Sequence, residues 1–277
     1  MDLASEIERN VAAALAEDVG DGDATAPLTP AGKPARAVVT CRQEAIVCGQ
    51  PWFDACFLKL DPKARIQWAV HEGARVIAGT GVCTVEGEAR ALLAAERSGI
   101  NFLQTLSAVA TATRRLVDAA AGTRARIVDT RKTLPGLRLA QKYAVRIGGG
   151  ANHRMGLYDA MLIKENHIAA AGGIRQVLAQ AKKAAKPGVW VQIEVENLDQ
   201  LREALDAGAT MILLDNMSIE TMAEAVRISN DRAELEASGG ITLANVRAIA
   251  ETGVHRISSG ALTKDVKAVD FSMRFET

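Results

Sequence analysis

The chain has 277 residues, 48% apolar and 24% charged, enough for one large domain or a barrel with a smaller companion, and a composition that excludes disorder or collagen-like repetition. Its 33 Lys and Arg balance its 33 Asp and Glu, and aromatic residues make up only 4%, so neither a polyanion-binding molecule nor a base-stacking nucleic-acid surface is expected. Cys41, Cys48, Cys56 and Cys83 form no C-x-x-C pair, which fits reduced thiols better than disulfides or zinc. With no signal-peptide pattern at the start and no run of ~18 apolar residues, a cytosolic protein is expected.

In chain order, residues 5–17 carry Ile7, Val11, Ala14 and Leu15 at helical spacing, with Ser5 and Glu8 placed for a capping box. The stretch "DVGDGDATAPLTPAGKP" breaks that pattern. Asp18, Asp21 and Asp23 look like a fragment of a calcium loop but lack its bidentate Glu and following helix, so a solvated loop is expected. Short β-rich runs follow, "ARAVVTCR", "EAIVCG", "RIQWAV" and "RVIAGTGVCTVEG", interrupted by one helix at "PWFDACFLKL". Residues 88–121 turn helical, with Leu92, Ile100, Leu103, Leu106, Val109 and Leu116 on one side and a break expected near Gly99. This is the natural seam, giving a domain over 1–107 and another over 108–265. The closing run "DVKAVDFSMRFET" alternates and is able to return to the first domain as a strand over 266–277.

Beyond the seam the chain changes character. Six short apolar runs, "ARIVDT", "AMLIKEN", "VWVQIEVE", "TMILLDN", "ELEASGG" and "VHRISSGA", end in polar residues, and helical patterns separate most of them. Strands alternating with helices mean parallel β/α units, and Glu194, Asp215, Ser238 and Ser259 fall at near-regular intervals. Such units close into an α/β barrel, whose active site lies at the C-terminal strand ends.

Residues 124–167 hold nine Lys or Arg against three acids on a neutral chain. Focal and without interleaved aromatics, this surplus reads as a small-molecule anion site, the alternative being a solvated basic face that takes Arg124, Lys142 and Arg146. At its start, "DTRKTLPGLR" puts Arg131 and Lys132 where a buried strand ends; unpaired buried charge is costly, so these cations require anionic partners or water. In "GGGANHRMGLYD" the glycines free the backbone and His153 with Arg154 offers two donors for a carboxylate. Lys164 ends the second run. Glu194 and Asp215 end successive runs and suit magnesium, ribose hydroxyls or charge balance, with Glu196 on the same side as Glu194. "SGG" at 238–240 and "SSGA" at 258–261 end the last two units, where β/α barrels commonly hold a phosphate. The order is a terminal phosphate, a polyhydroxyl or magnesium-bearing middle, and a basic end for carboxylates or pyrophosphate.

These segments, with "ERSGINFLQTLSAVAT", "EVE", "ILLDN" and "ISSGALT" in order, resemble the quinolinate phosphoribosyltransferase family over nearly the whole chain. The resemblance implies an N-terminal α/β sandwich beside an open six-stranded-type α/β barrel, working as a homodimer or higher homo-oligomer. It implies transfer of phosphoribose from 5-phosphoribosyl 1-pyrophosphate to quinolinate with release of CO2 and pyrophosphate, and Mg2+ as cofactor. By the same resemblance Arg97 enters the neighbouring subunit's site, and Arg131, His153, Arg154 and Lys164 bind the quinolinate carboxylates. Lys132 meets the pyrophosphate, with Thr130 and Thr133 beside it. Glu194 and Asp215 take ribose and Mg2+, and Ser238, Gly239, Gly240, Ser259, Gly260 and Ala261 cradle the 5′-phosphate. Lys132, Lys164, Glu194 and Asp215 are the implied catalytic group. Lys264 and Ala108 depart from the family's usual His and Gly. Alternatives are a relative acting on another acidic substrate, a Schiff-base lyase using Lys164, and a non-catalytic phosphate-sensing barrel.

Overall fold

The computed structural model describes residues 2–276. In chain order its elements are α1 (Leu3–Val19), β1 (Pro34–Cys41), β2 (Ala45–Ile46), α2 (Gln50–Leu60), β3 (Arg65–Trp68), β4 (Arg75–Val76), β5 (Thr80–Glu88) and α3 (Ala89–Ala119). Then come β6 (Arg126–Val128), α4 (Arg138–Ile147), β7 (Ala160–Ile163), α5 (Glu165–Ala171), α6 (Ile174–Ala184), β8 (Trp190–Val195) and α7 (Leu198–Asp206). The chain closes with β9 (Met211–Asp215), α8 (Ile219–Ser229), β10 (Glu234–Ser238), α9 (Val246–Glu251), β11 (Arg256–Ser258), α10 (Ala261–Lys264) and β12 (Phe271–Phe275).

Two compact units result. The first takes the chain up to Arg114, Leu134–Gly149, and everything from Asp265; the second takes Arg115–Thr133 and Gly150–Lys264. Residues 108–114 and all of α4 fall in the first of these compact units.

The first unit is built on an antiparallel sheet of order β12-β1-β5-β3, with β2 and β4 forming a separate pair. Alternation in β1 buries Ala37, Val39 and Cys41 on one face, the period-2 signature of a half-buried strand. Those side chains share a core with Trp52, Phe53 and Phe57 of α2, Leu92 and Leu103 of α3, and Ala140, Ala144 and Val145 of α4. Helix α1 starts earlier than the sequence indicates. Its N-cap is Asp2, whose carboxylate accepts the Ser5 backbone N–H at 2.8 Å and the Ser5 hydroxyl at 3.2 Å, so Ser5 is a donor inside the first turn and not the cap.

Helix α3 runs unbroken through Gly99, correcting the expected interruption. A Cβ there would meet Phe57 Cε2 at 2.9 Å and Phe53 Cδ2 at 3.2 Å, so the glycine serves the close approach of two aromatic rings. For Gly99→Ala, over-packing of ~1–3 kcal/mol outweighs a helix-propensity gain of up to ~1 kcal/mol, giving a net loss of about 1 kcal/mol. A denaturant midpoint equal to or above wild type would show that the rings yield freely.

The second unit carries all six expected strands in one parallel sheet of order β6-β11-β10-β9-β8-β7. At ~4.8 Å per strand, β6 and β8 would stand roughly 19 Å apart if the sheet were flat. Yet His153 joins them: its backbone N–H donates to Asp129, one residue past β6, at 2.9 Å, and its ring lies 3.0 Å from Gln192 of β8. The sheet therefore curls into a barrel, with β6 and β7 as the end strands of its order among the described residues. A parallel bridge between Val128 and Ala151 lays the chain before His153 along the outer edge of β6.

Candidate active site

Every polar group expected at a strand terminus of the barrel lies at the C-terminal edge of the six-stranded sheet. Strand β6 stops at Val128, so Arg131 and Lys132 are already beyond it. The chain turns there: the Lys132 N–H donates to Thr130 Oγ1 at 3.0 Å and the Thr133 N–H to the Arg131 carbonyl at 3.0 Å. This removes the strict alternation that would send successive side chains to opposite faces. Thr263 of α10 fixes the turn from the other side, its hydroxyl donating to the Lys132 carbonyl at 2.8 Å.

Gly260 lies against the same turn. A Cβ at this position would stand 2.9 Å from Lys132 Cδ and 3.3 Å from Thr130 Oγ1. Gly260→Ala is expected to displace the Lys132 side chain and lower kcat/KM about tenfold, because small misplacements of positioned groups are expensive. Unchanged kinetics in the folded variant would show that Lys132 is free to adjust without loss.

Asp129, fully buried, organises the loop that follows α4. Its carboxylate accepts from Asn152 Nδ2 at 2.6 Å and from the His153 backbone N–H at 2.9 Å. Farther along, Asp159 accepts the backbone N–H groups of Met155 and Gly156 at 2.7 and 2.9 Å, which turns the chain into β7. Arg154 is held between, with Nη1 3.3 Å from the Ala160 carbonyl. Burial disfavours its charged form, and the like charge of Arg131 adds to this, while Asp159 opposes it. The two guanidiniums thus act on each other as like charges at a half-buried position.

The ring of His153, expected at a carboxylate, has both nitrogens engaged within the barrel unit. Nδ1 accepts the Arg154 backbone N–H at 2.8 Å, and Nε2 faces Gln192 Oε1 at 3.0 Å.

Lys164 follows β7 directly and pairs with Glu194 of β8, Nζ to Oε2 3.1 Å. Burial pushes the Glu194 carboxyl above the ordinary range; Lys164 pulls it down, and Asp215 and Glu165 push it up. Glu194 and Asp215 therefore share one electrostatic environment. Glu196 lies beyond the end of β8, exposed, its N–H donating to Gln200 Oε1, and it does not join them.

Asp215 ends β9 and is steadied by Asn216, whose Nδ2 donates to it at 2.7 Å while the Asn216 backbone takes a left-handed φ of 52°. Gly239, with φ 98°, packs so closely that a Cβ would meet Asn216 Oδ1 at 2.0 Å. The "SGG" turn at 238–240 thus supports the carboxylate beside it as well as leading out of β10; Asn245 Nδ2 closes it by donating to the Gly240 carbonyl at 2.9 Å. Ser259, Gly260 and Ala261 carry the chain from β11 into α10, with the Ser259 N–H spent on the Val128 carbonyl at 3.0 Å.

Arg97 is exposed on α3 and belongs to the first unit. Lys142, read from sequence as a candidate for the solvated face, is fully buried on α4. Sequence reasoning passes over Asp129, Gln192, Glu236 and Thr263. Asp129 stands in the quoted "DTRKT" run, and only its place directly after an apolar strand signals a buried carboxylate; the other three have no local signature.

The four cysteines are free and buried. Among the described residues no helix is long and apolar enough to cross a membrane, and no group of three or more His, Cys, Asp or Glu is placed to hold a metal.

Comparison with known proteins agrees along the whole chain. Residues 23–107 match the family described as "Quinolinate phosphoribosyl transferase, N-terminal domain", and residues 109–274 match its C-terminal domain. "Quinolinate phosphoribosyltransferase [decarboxylating] 1b" of Nicotiana tabacum is 40% identical over 95% of this chain and 81% of that protein. "Probable nicotinate-nucleotide pyrophosphorylase [carboxylating]" of Bacillus subtilis (strain 168) is 41% identical over 93% and 89%. The solved structure of the nicotinate-nucleotide pyrophosphorylase from Francisella tularensis superposes with a TM-score of 0.96 at 43% identity, covering 100% of this chain and 98% of that one. With both domains matched and relatives of this identity spanning nearly its full length, the chain belongs to the quinolinate phosphoribosyl transferase family.

Proposed function

We propose that this decarboxylating quinolinate phosphoribosyltransferase of de novo NAD biosynthesis works through the cluster at the C-terminal edge of its barrel, converting quinolinate and 5-phosphoribosyl 1-pyrophosphate to nicotinate mononucleotide, pyrophosphate and CO2. The carrying observation is that the C-terminal edge of one parallel sheet bears both a cationic pair, Arg154 in the field of Arg131, and the Lys164–Glu194 ion pair in the field of Asp215. A pyridine dicarboxylate needs the first group, and a magnesium-bearing sugar pyrophosphate the second.

In this reading Arg131, Arg154 and Lys164 meet the quinolinate carboxylates, with His153 behind Arg154. Lys132 faces the departing pyrophosphate, flanked by Thr130 and Thr133. Ser238 to Gly240 and Ser259 to Ala261 receive the 5′-phosphate. Glu194 and Asp215 are two oxygen-bearing groups in one field, too few for a closed protein cage. They suit Mg2+, which usually keeps waters and takes one or two carboxylates with substrate phosphates. Bound there, the ion would neutralise charge on the leaving pyrophosphate.

The chemistry follows from charge. As pyrophosphate departs, positive character grows on the ribose C1, and Glu194 and Asp215 provide negative charge near it. The pyridine nitrogen, oriented by the cations on its carboxylates, forms the new bond to C1. Once quaternary, the positive ring nitrogen stabilises the electron pair left on C2 when the carboxylate departs as CO2, and that pair on C2 then takes up a proton. No side-chain nucleophile is required. A Schiff-base reading of Lys164 fits poorly, since its ammonium is half exposed and ion-paired with Glu194.

The decisive assay incubates purified protein with quinolinate, 5-phosphoribosyl 1-pyrophosphate and Mg2+ and detects nicotinate mononucleotide and CO2. Folded protein that yields neither defeats the reading. For oligomeric state, the proposal is a homodimer in which Arg97 completes the neighbour's site, in the cytoplasm. Mixing inactive Arg97→Ala and Lys132→Ala subunits then restores about a quarter of wild-type activity, because random pairing gives half heterodimers with one intact site each. Mixtures as inactive as the separate variants mean that Arg97 acts within its own subunit or not at all.

A further inference from the structure

Inside the barrel, beneath the ligand-facing residues, three buried polar side chains form a chain of one direction. The Arg154 backbone N–H donates to His153 Nδ1 at 2.8 Å, so Nδ1 presents its lone pair. The ring proton then belongs on Nε2, which lies 3.0 Å from Gln192 Oε1 and 3.5 Å from Glu236 Oε2. Gln192 Nε2 donates onward to Glu236 Oε2 at 3.1 Å, and this bond decides which end of the amide faces the imidazole. Relative exposures are 7% for His153, 1% for Gln192 and 0% for Glu236. Trp190 closes the side of the imidazole with an edge contact at 5.1 Å between centroids.

Packing alone gives no reason for a carboxyl group at this place. Glu236 Oε1 is buried without a hydrogen-bond partner among the described residues, a costly arrangement that an apolar side chain of similar size would avoid. What the carboxyl group supplies is a terminal acceptor. It orients Gln192, Gln192 selects the Nε2–H tautomer of His153, and that tautomer leaves Nδ1 to hold the backbone of Arg154.

We propose that Glu236 and Gln192 are positioning residues for the carboxylate-binding end of the site, acting through the His153 tautomer on Arg154 without touching substrate. The link to quinolinate rests on the functional reading above; the tautomer does not.

The test therefore has two parts. In free enzyme labelled with 15N-histidine, the ring signals of His153, assigned by their loss in His153→Gln, are expected to show a neutral ring protonated at Nε2. A ring protonated at Nδ1, or doubly protonated at neutral pH, overturns the proposal whatever the substrate. In kinetics, Gln192→Met and Glu236→Leu are each expected to raise the quinolinate KM about tenfold, with the KM for 5-phosphoribosyl 1-pyrophosphate within about twofold of wild type. Glu236→Gln keeps an acceptor for Gln192 and is expected to restore wild-type KM values. Variants that lose both KM values and kcat together with thermal stability, and that Glu236→Gln does not rescue, would assign these residues a structural role and refute the positioning one.

Discussion

Replacing Arg154 with alanine is expected to raise the quinolinate KM about 100-fold while the KM for 5-phosphoribosyl 1-pyrophosphate changes less than about threefold. The magnitude is that of one charge-assisted contact, ~1.5–3 kcal/mol, in a partly buried site that salt screens weakly. The direction comes from the electrostatics. In the free protein, burial and Arg131 both disfavour the Arg154 cation, and an arriving dianion relieves that strain. Lysine is a poor substitute, because it offers a point charge where a fork of donors bonds both the Ala160 carbonyl and a carboxylate. Calorimetric titrations in which Arg154→Ala weakens both substrates equally would remove Arg154 from the quinolinate end.

The second large effect concerns stability in the first unit. Burial raises the Asp54 carboxyl from 3.8 to about 6, Glu72 adds to this, and the hydrogen bond from Trp68 Nε1 at 2.9 Å opposes it. A carboxyl with a raised folded-state pKa contributes its stability below the unfolded value, near pH 4, and loses it as pH rises through about 6. Above that the buried carboxylate is a burden. A rise of this size corresponds to ~3 kcal/mol at full value, reduced to about 1–2 kcal/mol because Asp54 is only partly buried. Asp54→Asn keeps an acceptor for Trp68 and carries no charge. It is expected to match wild type near pH 4 and to exceed it by that amount at pH 8, in denaturant unfolding followed by Trp fluorescence. A stability difference independent of pH would refute the ionisation argument.

Much of the catalytic unit is legible in the sequence. All six apolar runs are strands of one sheet, and Lys164, Glu194, Asp215 and Ser238 stand at or next to their C-terminal ends, because strand-and-helix periodicity and terminal polar residues are local properties. Local pattern misleads in two places. Glycine's low helix propensity predicts a break at residue 99, whereas Gly99 admits Phe53 and Phe57 against an unbroken α3. The capping-box spacing points to Ser5, whereas Asp2, with the stronger acceptor, caps the helix.

The parallel β/α units, the basic segment between 124 and 167 and the family are all readable from the linear chain, since they reside in periodicity, charge and ordered motifs. The destination of α4 is not. Directly after the Arg131–Lys132 turn, this helix gives Ala140, Ala144 and Val145 to the core of the first unit, and an apolar helix face does not name its partner. Folding in three dimensions also places Asp129, Gln192 and Glu236 around His153. Those residues lie on β8, on β10 and just past β6, and a curled sheet brings together side chains that no sequence spacing relates.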